Sequence, residues 1–298
     1  RISYLRKKIA STILSKMKLF SVLFFFTFLG YGFSQSMESY EIKLIEKLEK
    51  VHFEKDYNTC MNLNEEFKTI LTTTIQNKEA FTYSFDSLSN FMSTTTSKDG
   101  TFRIFNWNIQ LEGQKQHYEC WILLSDLDVI KLQDFKNNIP EIEYASLDEN
   151  TWFGALYYTI IPNKKKNKTI YTLLGWDGND MFSNKKIIES MYITKKNKIQ
   201  FGLPIFNYPD GKTKKRVIFQ YNKQSYMSLK HNHIRKDDYI VFDHLIPSSP
   251  HLKDFPDWYV TDLSFDAFKW EESEWNYKRD FDAKSLKILR RPFNDPNK

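Results

Sequence analysis

The spacing of apolar and polar positions divides the chain into stretches of different period. Residues 38–56 place Ile42, Ile45, Leu48 and Val51 at helical intervals, which predicts one apolar helix face. Residues 59–76 repeat the pattern with Leu63, Phe67, Ile70, Leu71 and Ile75, and Asn58 or Thr59 offers a side-chain oxygen for the N-cap. The run Thr72–Thr74 weakens the end of this helix, because β-branched side chains lose χ1 freedom there. A short further turn is expected from Asp86 or Ser87.

The period changes after Asp99-Gly100. Phe105, Trp107, Ile109 and Leu111 alternate with Asn106, Asn108 and Gln110, which predicts a strand with one wet face. Residues 116–125 return as a second strand. Others are expected near 153–162, 169–176, 187–194, 199–206, 215–221, 226–231, 238–245, 264–270 and 275–281. The short links between them are rich in Asn, Lys, Asp and Gly, the spacing of an antiparallel meander. Residues 153–161, FGALYYTII, are apolar on both faces and read as a central strand. No long helical pattern separates the strands, which argues against a parallel α/β sheet. The expected fold is mainly β: an antiparallel meander forming a sandwich or a strongly curved sheet or barrel, after an N-terminal α-helical segment. The helical segment covers 35–96 and the β domain 97–298.

One apolar run belongs to neither part. Met17 and Lys18 precede LFSVLFFFTFL at 19–29, and Gly32 and Ser34 stand at −3 and −1 of a cleavage site before Gln35. This is the layout of a signal peptide, and the run is too short to span a bilayer comfortably. Residues 17–34 therefore read as a cleaved leader and residues 1–16 as upstream read-through. The expected location is periplasmic or secreted, with no transmembrane span in the mature chain.

Charge alters the picture once the leader is set aside. The chain of 298 residues carries 43 Lys and Arg against 37 Asp and Glu, a net +6. Arg1, Arg6, Lys7, Lys8, Lys16 and Lys18 all lie in the first 34 residues, which hold no acid, so 35–298 carry 37 of each sign. A neutral chain has no global field for nucleic acid, and none is expected as a partner. Residues 35–96 hold 6 basic and 10 acidic groups, and residues 97–298 hold 31 and 27. Cys60 and Cys120 are the two cysteines. An oxidising compartment would allow them to pair, and two buried thiols are the other reading.

The sequence contains no GxSxG, HExxH, P-loop or GxGxxG, so no motif requires a cofactor. The candidate sites are dispersed. Asp177, Asn179 and Asp180 form an oxygen-rich turn that would suit Ca²⁺, though the same residues are ordinary turn formers. His231 and His233 share a face if extended, and with Asp237, Asp238 or His244 would suit a transition metal. Asp243-His244, with Ser248 and Ser249 nearby, is the candidate for catalysis. Glu141 and Glu143 are candidate paired carboxylates. Among seven tryptophans, Trp107, Trp270 and Trp275 read as core, and Trp176 and Trp258 as surfaces for sugar stacking.

If the strands run up and down, turns 163–168, 195–198 and 222–225 lie at one end of the sheet. Lys164, Lys165, Lys166, Lys168, Lys195, Lys196, Lys198 and Lys223 would then form a basic pole facing anionic envelope polymers or phospholipid head groups. Solubility and protection of sheet edges would select the same lysines.

The stretch Ser97-Lys98-Asp99-Gly100-Thr101-Phe102-Arg103-Ile104-Phe105, then Tyr171-Thr172-Leu173-Leu174-Gly175-Trp176-Asp177-Gly178-Asn179, then Val241-Phe242-Asp243-His244-Leu245, resembles marks of a group of Sec-exported bacterial proteins with a mainly-β C-terminal region. The resemblance spans most of the mature chain. It implies export and domain extent, and it implies no activity, because none is established for the group. The functional expectation is a non-catalytic binding or structural role in the envelope or outside the cell, with a polymer, glycan or protein as partner. The alternatives are carbohydrate binding through exposed Trp residues and a hydrolase built from His and Asp residues near 231–244.

Overall fold

A computed structural model describes residues 36–135 and 139–282. The expected leader at 17–34 and the stretch 1–16 lie outside the described residues. Contacts divide the chain into two units, Arg1–Tyr40 and Glu41–Lys298. The first is described only from Ser36, where helix α1 (Met37–Phe53) begins. Everything below concerns the second.

Helix α2 spans Tyr57–Ile75. Its cap is Asp56 rather than Asn58 or Thr59. The Asp56 carboxylate accepts from the Thr59 hydroxyl at 2.7 Å and from its N–H at 2.8 Å, and these bonds hold its pKa below the usual value. The threonine run is tolerated because Thr72, Thr73 and Thr74 donate their hydroxyls to the carbonyls of Lys68, Thr69 and Ile70. On α1, Leu48 and Val51 are buried as expected, but Ile42 is 51% exposed. Glu41 is buried beside it because its carboxylate accepts from the Tyr83 hydroxyl and the Leu88 N–H, both at 2.8 Å. Two satisfied hydrogen bonds thus place a charge where periodicity places an isoleucine.

The described residues beyond the helices are mainly antiparallel β, with a curled half-barrel among the sheets. The first sheet has the order β1 (Phe102–Gln110), β2 (Gln116–Leu124), β3 (Val129–Leu132). The second runs β4 (Leu147–Asp148), β8 (Ile199–Phe201), β7 (Ser183–Ile193), β6 (Lys168–Asp177), β5 (Leu156–Lys165), and β11 (Arg216–Asn222) also pairs with β7. The third runs β10 (Thr213–Lys214), β9 (Phe206–Asn207), β15 (Glu274–Lys278), β14 (Tyr259–Glu271), β13 (Asp237–Pro247), β12 (Leu229–Ile234). Every ladder is antiparallel except β15 with β9.

Two expectations about burial are corrected. β1 has no wet face. Trp107 packs edge-on against Phe67 of α2 at 4.9 Å, while Phe102 and Ile104 enter a core shared with Leu173 of β6 and Ile187 of β7. The polar residue between them is used rather than solvated. Asn106 donates to Glu119 O at 2.8 Å and accepts from Tyr157 N–H at 2.6 Å. The strand is sandwiched, and its asparagines serve as connectors. Conversely, β5 is not central but stands at the end of its sheet. Its apolar second face is explained by Tyr157, which packs in the same core as Phe102 and Ile104.

Charges are buried where they are paired. Arg103 donates to the carbonyls of Ala80, Tyr83, Ser84 and Thr94. Its guanidinium also lies 4.7 Å from the Phe85 ring centre. Arg216 and Glu189 face each other across β11 and β7 with both side chains fully buried and paired. Burial raises the Glu189 carboxyl pKa, against the pull of Arg216.

Cys60 and Cys120 are free, buried thiols, the second of the two readings. Cys60 donates to Val51 O on the helical side. Cys120 belongs to the core on the opposite face of β2, and the body of the sheet separates the two environments. The basic pole is corrected at one of its three turns: turns 163–168 and 195–198 share one end of the sheet, but turn 222–225 does not join them. β11 runs antiparallel to β7, with Asn222 opposite Ser183, so turn 222–225 lies at the end opposite turn 195–198. Lys223 confirms the placement by donating to the carbonyls of Gly178 and Asp180.

Candidate functional site

The expected site residues are scattered. Asp177 is buried and accepts from the Tyr118 hydroxyl at 3.1 Å and from Asn179 N–H at 2.9 Å. Asn179 donates to Asp180 and accepts from Lys185 at 2.7 Å. Lysines 185 and 223 already occupy this turn with positive charge, which is a poor setting for a cation. His231 and His233 do meet a carboxylate. Their Nε2 and Nδ1 lie 2.8 and 2.9 Å from the same Oδ1 of Asp238. Among the described residues no group of three His, Cys, Asp or Glu side chains could hold a metal ion.

Asp243 and His244 do not work together. Asp243 accepts from Ser228 N–H at 2.7 Å, and burial raises its pKa. His244 lies at a register shift between β13 and β14 and places Nδ1 2.7 Å from Asp266 Oδ2. The neighbouring Ser248 bonds through its backbone, to Trp258 O. Glu141 and Glu143 stand on a 3₁₀ turn, not a strand, and Glu143 is taken up by Lys214 at 2.6 Å and Ile218 N–H at 3.0 Å. Lys164 bonds to Thr169, and Lys165 pairs with Glu274 at 2.8 Å. Lys166, Lys195 and Lys196 are exposed. Trp258 is 50% exposed, and Trp176 is half-buried on β6.

Trp176 leads to a site that the sequence does not display. It stands directly opposite Lys186 on β7, so the two side chains share a sheet face. Lys186 in turn stands opposite Phe219 of β11. On the other side of β6, a register shift in β5 at Tyr157/Thr159 frees Tyr158 from the regular ladder. The Tyr158 hydroxyl then reaches Leu229 O of β12 at 3.0 Å. β12 is the edge of the third sheet, so a groove forms between that edge and the exposed part of the second sheet. Its volume is about 410 Å³, and Tyr158, Lys186, Tyr226, Lys230, His231 and Asn232 line it.

The electrostatics of this groove are one-sided. Lys186 Nζ lies 4.9 Å from the Tyr158 ring centre, and burial lowers its pKa. Among the described residues it forms no ion pair. Lys230 is exposed at the rim. Burial also lowers the His231 pKa against the pull of Asp238. No Asp or Glu lines the groove. Tyr226 is 75% exposed. Tyr221 lies beneath, buried in the core and close enough to Trp176 for a side-chain hydrogen bond, and burial pushes its phenol up to about 12.

A second, more apolar groove of about 540 Å³ lies beside Ile142, Phe153, Ile218, Leu245 and Tyr259. Its polar groups are spent on the protein. Besides Glu143, Gln220 donates to Asp257 and Ser183.

Sequence reading also missed a buried acid–base cluster. His117 Nε2 and Nδ1 lie 3.5 and 3.4 Å from Glu119 and Asp134, and Lys68 of α2 pairs with the same Glu119 oxygen. These carboxylates hold the His117 pKa up at about 9. Gly154, at φ +79, leaves space for the Asp134 carboxylate, which would lie 2.2 Å from any Cβ there. Comparison with family models, curated proteins and solved structures returns no match. Among the described residues no helix is long and apolar enough to cross a membrane.

Proposed function

We propose that the protein is exported and acts by binding a ligand in the groove between β12 and the β5–β7 face. Export is supported by the leader-like pattern at 17–34. Binding is supported by one observation above the others: Lys186 carries a half-buried ammonium with an aromatic neighbour and, among the described residues, no carboxylate partner, in a groove whose described lining holds no acid. An ionised group in that setting has lost hydration without gaining a counter-charge, and an incoming ligand supplies it. The groove is open, and its side chains make no nucleophile–base pair, which favours binding over turnover.

The test is a thermal-shift screen of the full chain against neutral glycans, acidic glycans, divalent metals and anionic polymers. A ligand specific to the native state raises its stability by mass action. The shift is expected for at least one probe and is expected to vanish in Lys186→Met. A panel without any shift would end the proposal.

A hydrolase is the second reading, favoured by His244, whose Nδ1 is oriented by the buried Asp266 while the ring is partly open to solvent. It predicts turnover of ester or glycoside substrates that is lost in His244→Ala.

A further inference from the structure

We infer that the groove takes an acidic sugar: a pyranose ring with a carboxylate on it, as one unit of a uronate-bearing glycan. This rests on the binding reading above and names the ligand class. Three features of the groove point to it.

The first is charge. Lys186 and Lys230 are its cations, His231 is already matched by Asp238 at 2.8 Å, and among the described residues no acid is part of the lining. The ligand is therefore anionic. The mature chain is neutral overall, so the attraction is local to this groove and not a property of the whole surface.

The second is the form of the donors. Lysine ammoniums are compact point charges, and no arginine fork lines the groove. A single carboxylate between two lysines fits this arrangement, whereas phosphate and sulfate sites are more often built from bidentate arginines or backbone N–H groups.

The third is the aromatic surface. Trp176 stands opposite Lys186 and the Tyr158 ring lies against it, while Tyr226 stands 75% exposed above the groove. Aromatic faces beside a cation serve a ligand whose ring stacks while its charge reaches the ammonium. An acyclic polyanion or a layer of lipid headgroups would use the lysines and leave the rings idle. The hydrogen-bonding groups of Asn232 and His231 at one side suit ring hydroxyls. The open form of the groove suits a unit within a chain that continues past both ends.

The experiment measures binding of the full chain to an oligogalacturonate by calorimetry. Controls are the same oligomer with its carboxyls reduced, polyglutamate, and phosphatidylglycerol vesicles. The oligogalacturonate is expected to bind, more weakly as salt rises. The reduced oligomer and polyglutamate should each bind at least about tenfold more weakly. Lys186→Met should weaken binding roughly tenfold or more, and Tyr226→Ala roughly threefold to tenfold. Lys195→Met, at the far end of β7, should leave it unchanged. Neither Lys186 nor Tyr226 bonds to another side chain among the described residues, so both variants should keep the wild-type melting temperature. Equal binding of the reduced oligomer, of polyglutamate or of vesicles overturns the acidic-sugar assignment. If a neutral glycan binds and Lys186→Met or Tyr226→Ala weakens it, the assignment falls and the binding reading stands. If no probe responds to either substitution, both fall.

Discussion

Trp107 donates its indole N–H to the amide oxygen of Asn64 at 2.9 Å, with both residues fully buried. The same amide donates to Glu119 at 3.1 Å. One asparagine on α2 thus satisfies two groups on the first sheet, and the helix is fixed in register by polar contacts inside an apolar interface. Asn64→Leu removes both bonds and leaves a buried N–H without an acceptor. The expected loss is about 2–4 kcal/mol in urea denaturation. A loss no larger than that of an exposed substitution such as Asn90→Ala would show that the contact is incidental.

His117 ties stability to pH. Glu119 and Asp134 raise its folded pKa to about 9, above the ordinary unfolded value of about 6.5. The stabilisation is therefore complete below about pH 6.5 and is lost as pH rises through about 9, amounting to at most about 3 kcal/mol. The denaturation midpoint should fall across that window in the wild type and stay nearly level in His117→Gln. Parallel slopes in the two proteins would assign the pH dependence elsewhere.

The buried pair of Arg216 and Glu189 is expected to be sensitive to loss of one partner. Glu189→Ala leaves a guanidinium deep between β7 and β11 without its counter-charge, at a cost of about 3–5 kcal/mol. Chemical denaturation checks this, and a cost below about 1 kcal/mol would mean that water or a new partner relieves the charge.

Burial raises the thiol pKa of Cys60 and, more strongly, of Cys120. Thiolate is the reactive species, so both should resist a thiol reagent in the native protein and react together on unfolding. Reducing agent should leave the melting temperature unchanged. A stability loss on reduction would point to a bridge.

Export is tested at the chain's own N-terminus. Expression of the full chain followed by mass spectrometry of the secreted or periplasmic form should find Gln35 as the first residue. Retention of residues 17–34 on the extracytoplasmic protein would sink the leader reading.

The fold was legible where one face of an element meets one environment. Apolar runs bounded by short polar links located most strands, and β6, β7 and β13 pair with neighbours on both sides. The pattern failed for β1 at Asn106, which reads as solvated and is a buried connector to Tyr157 N–H and Glu119 O. It failed for β5, whose two apolar faces reflect a sheet end covered by another layer. The basic pole failed at Lys223 for a topological reason: β11 returns to β7 after three short strands, β8, β9 and β10, which reverses the end at which Lys223 emerges.

The candidate site was harder to read. His231 and Trp176 were visible as residue types that carry chemistry. Their partner Lys186 was one of many lysines, and only the register of β6 against β7 sets it opposite the indole. Tyr158 joins them through a single-residue irregularity in β5, which leaves no mark in the pattern FGALYYTII.

Lys223 has a consequence for the groove that its charge does not suggest. Its N–H bonds to Phe182 O at 2.8 Å, while its ammonium holds the carbonyls of Gly178 and Asp180 at 3.0 and 2.8 Å. Tyr226 lies three residues along the same link. The link is thus tethered at its start by three bonds made on folding, and it enters β12 already anchored at its far end. Much of the ordering entropy of this wall is met before any ligand arrives, which leaves the groove preorganised and lets contact energy appear more fully as affinity.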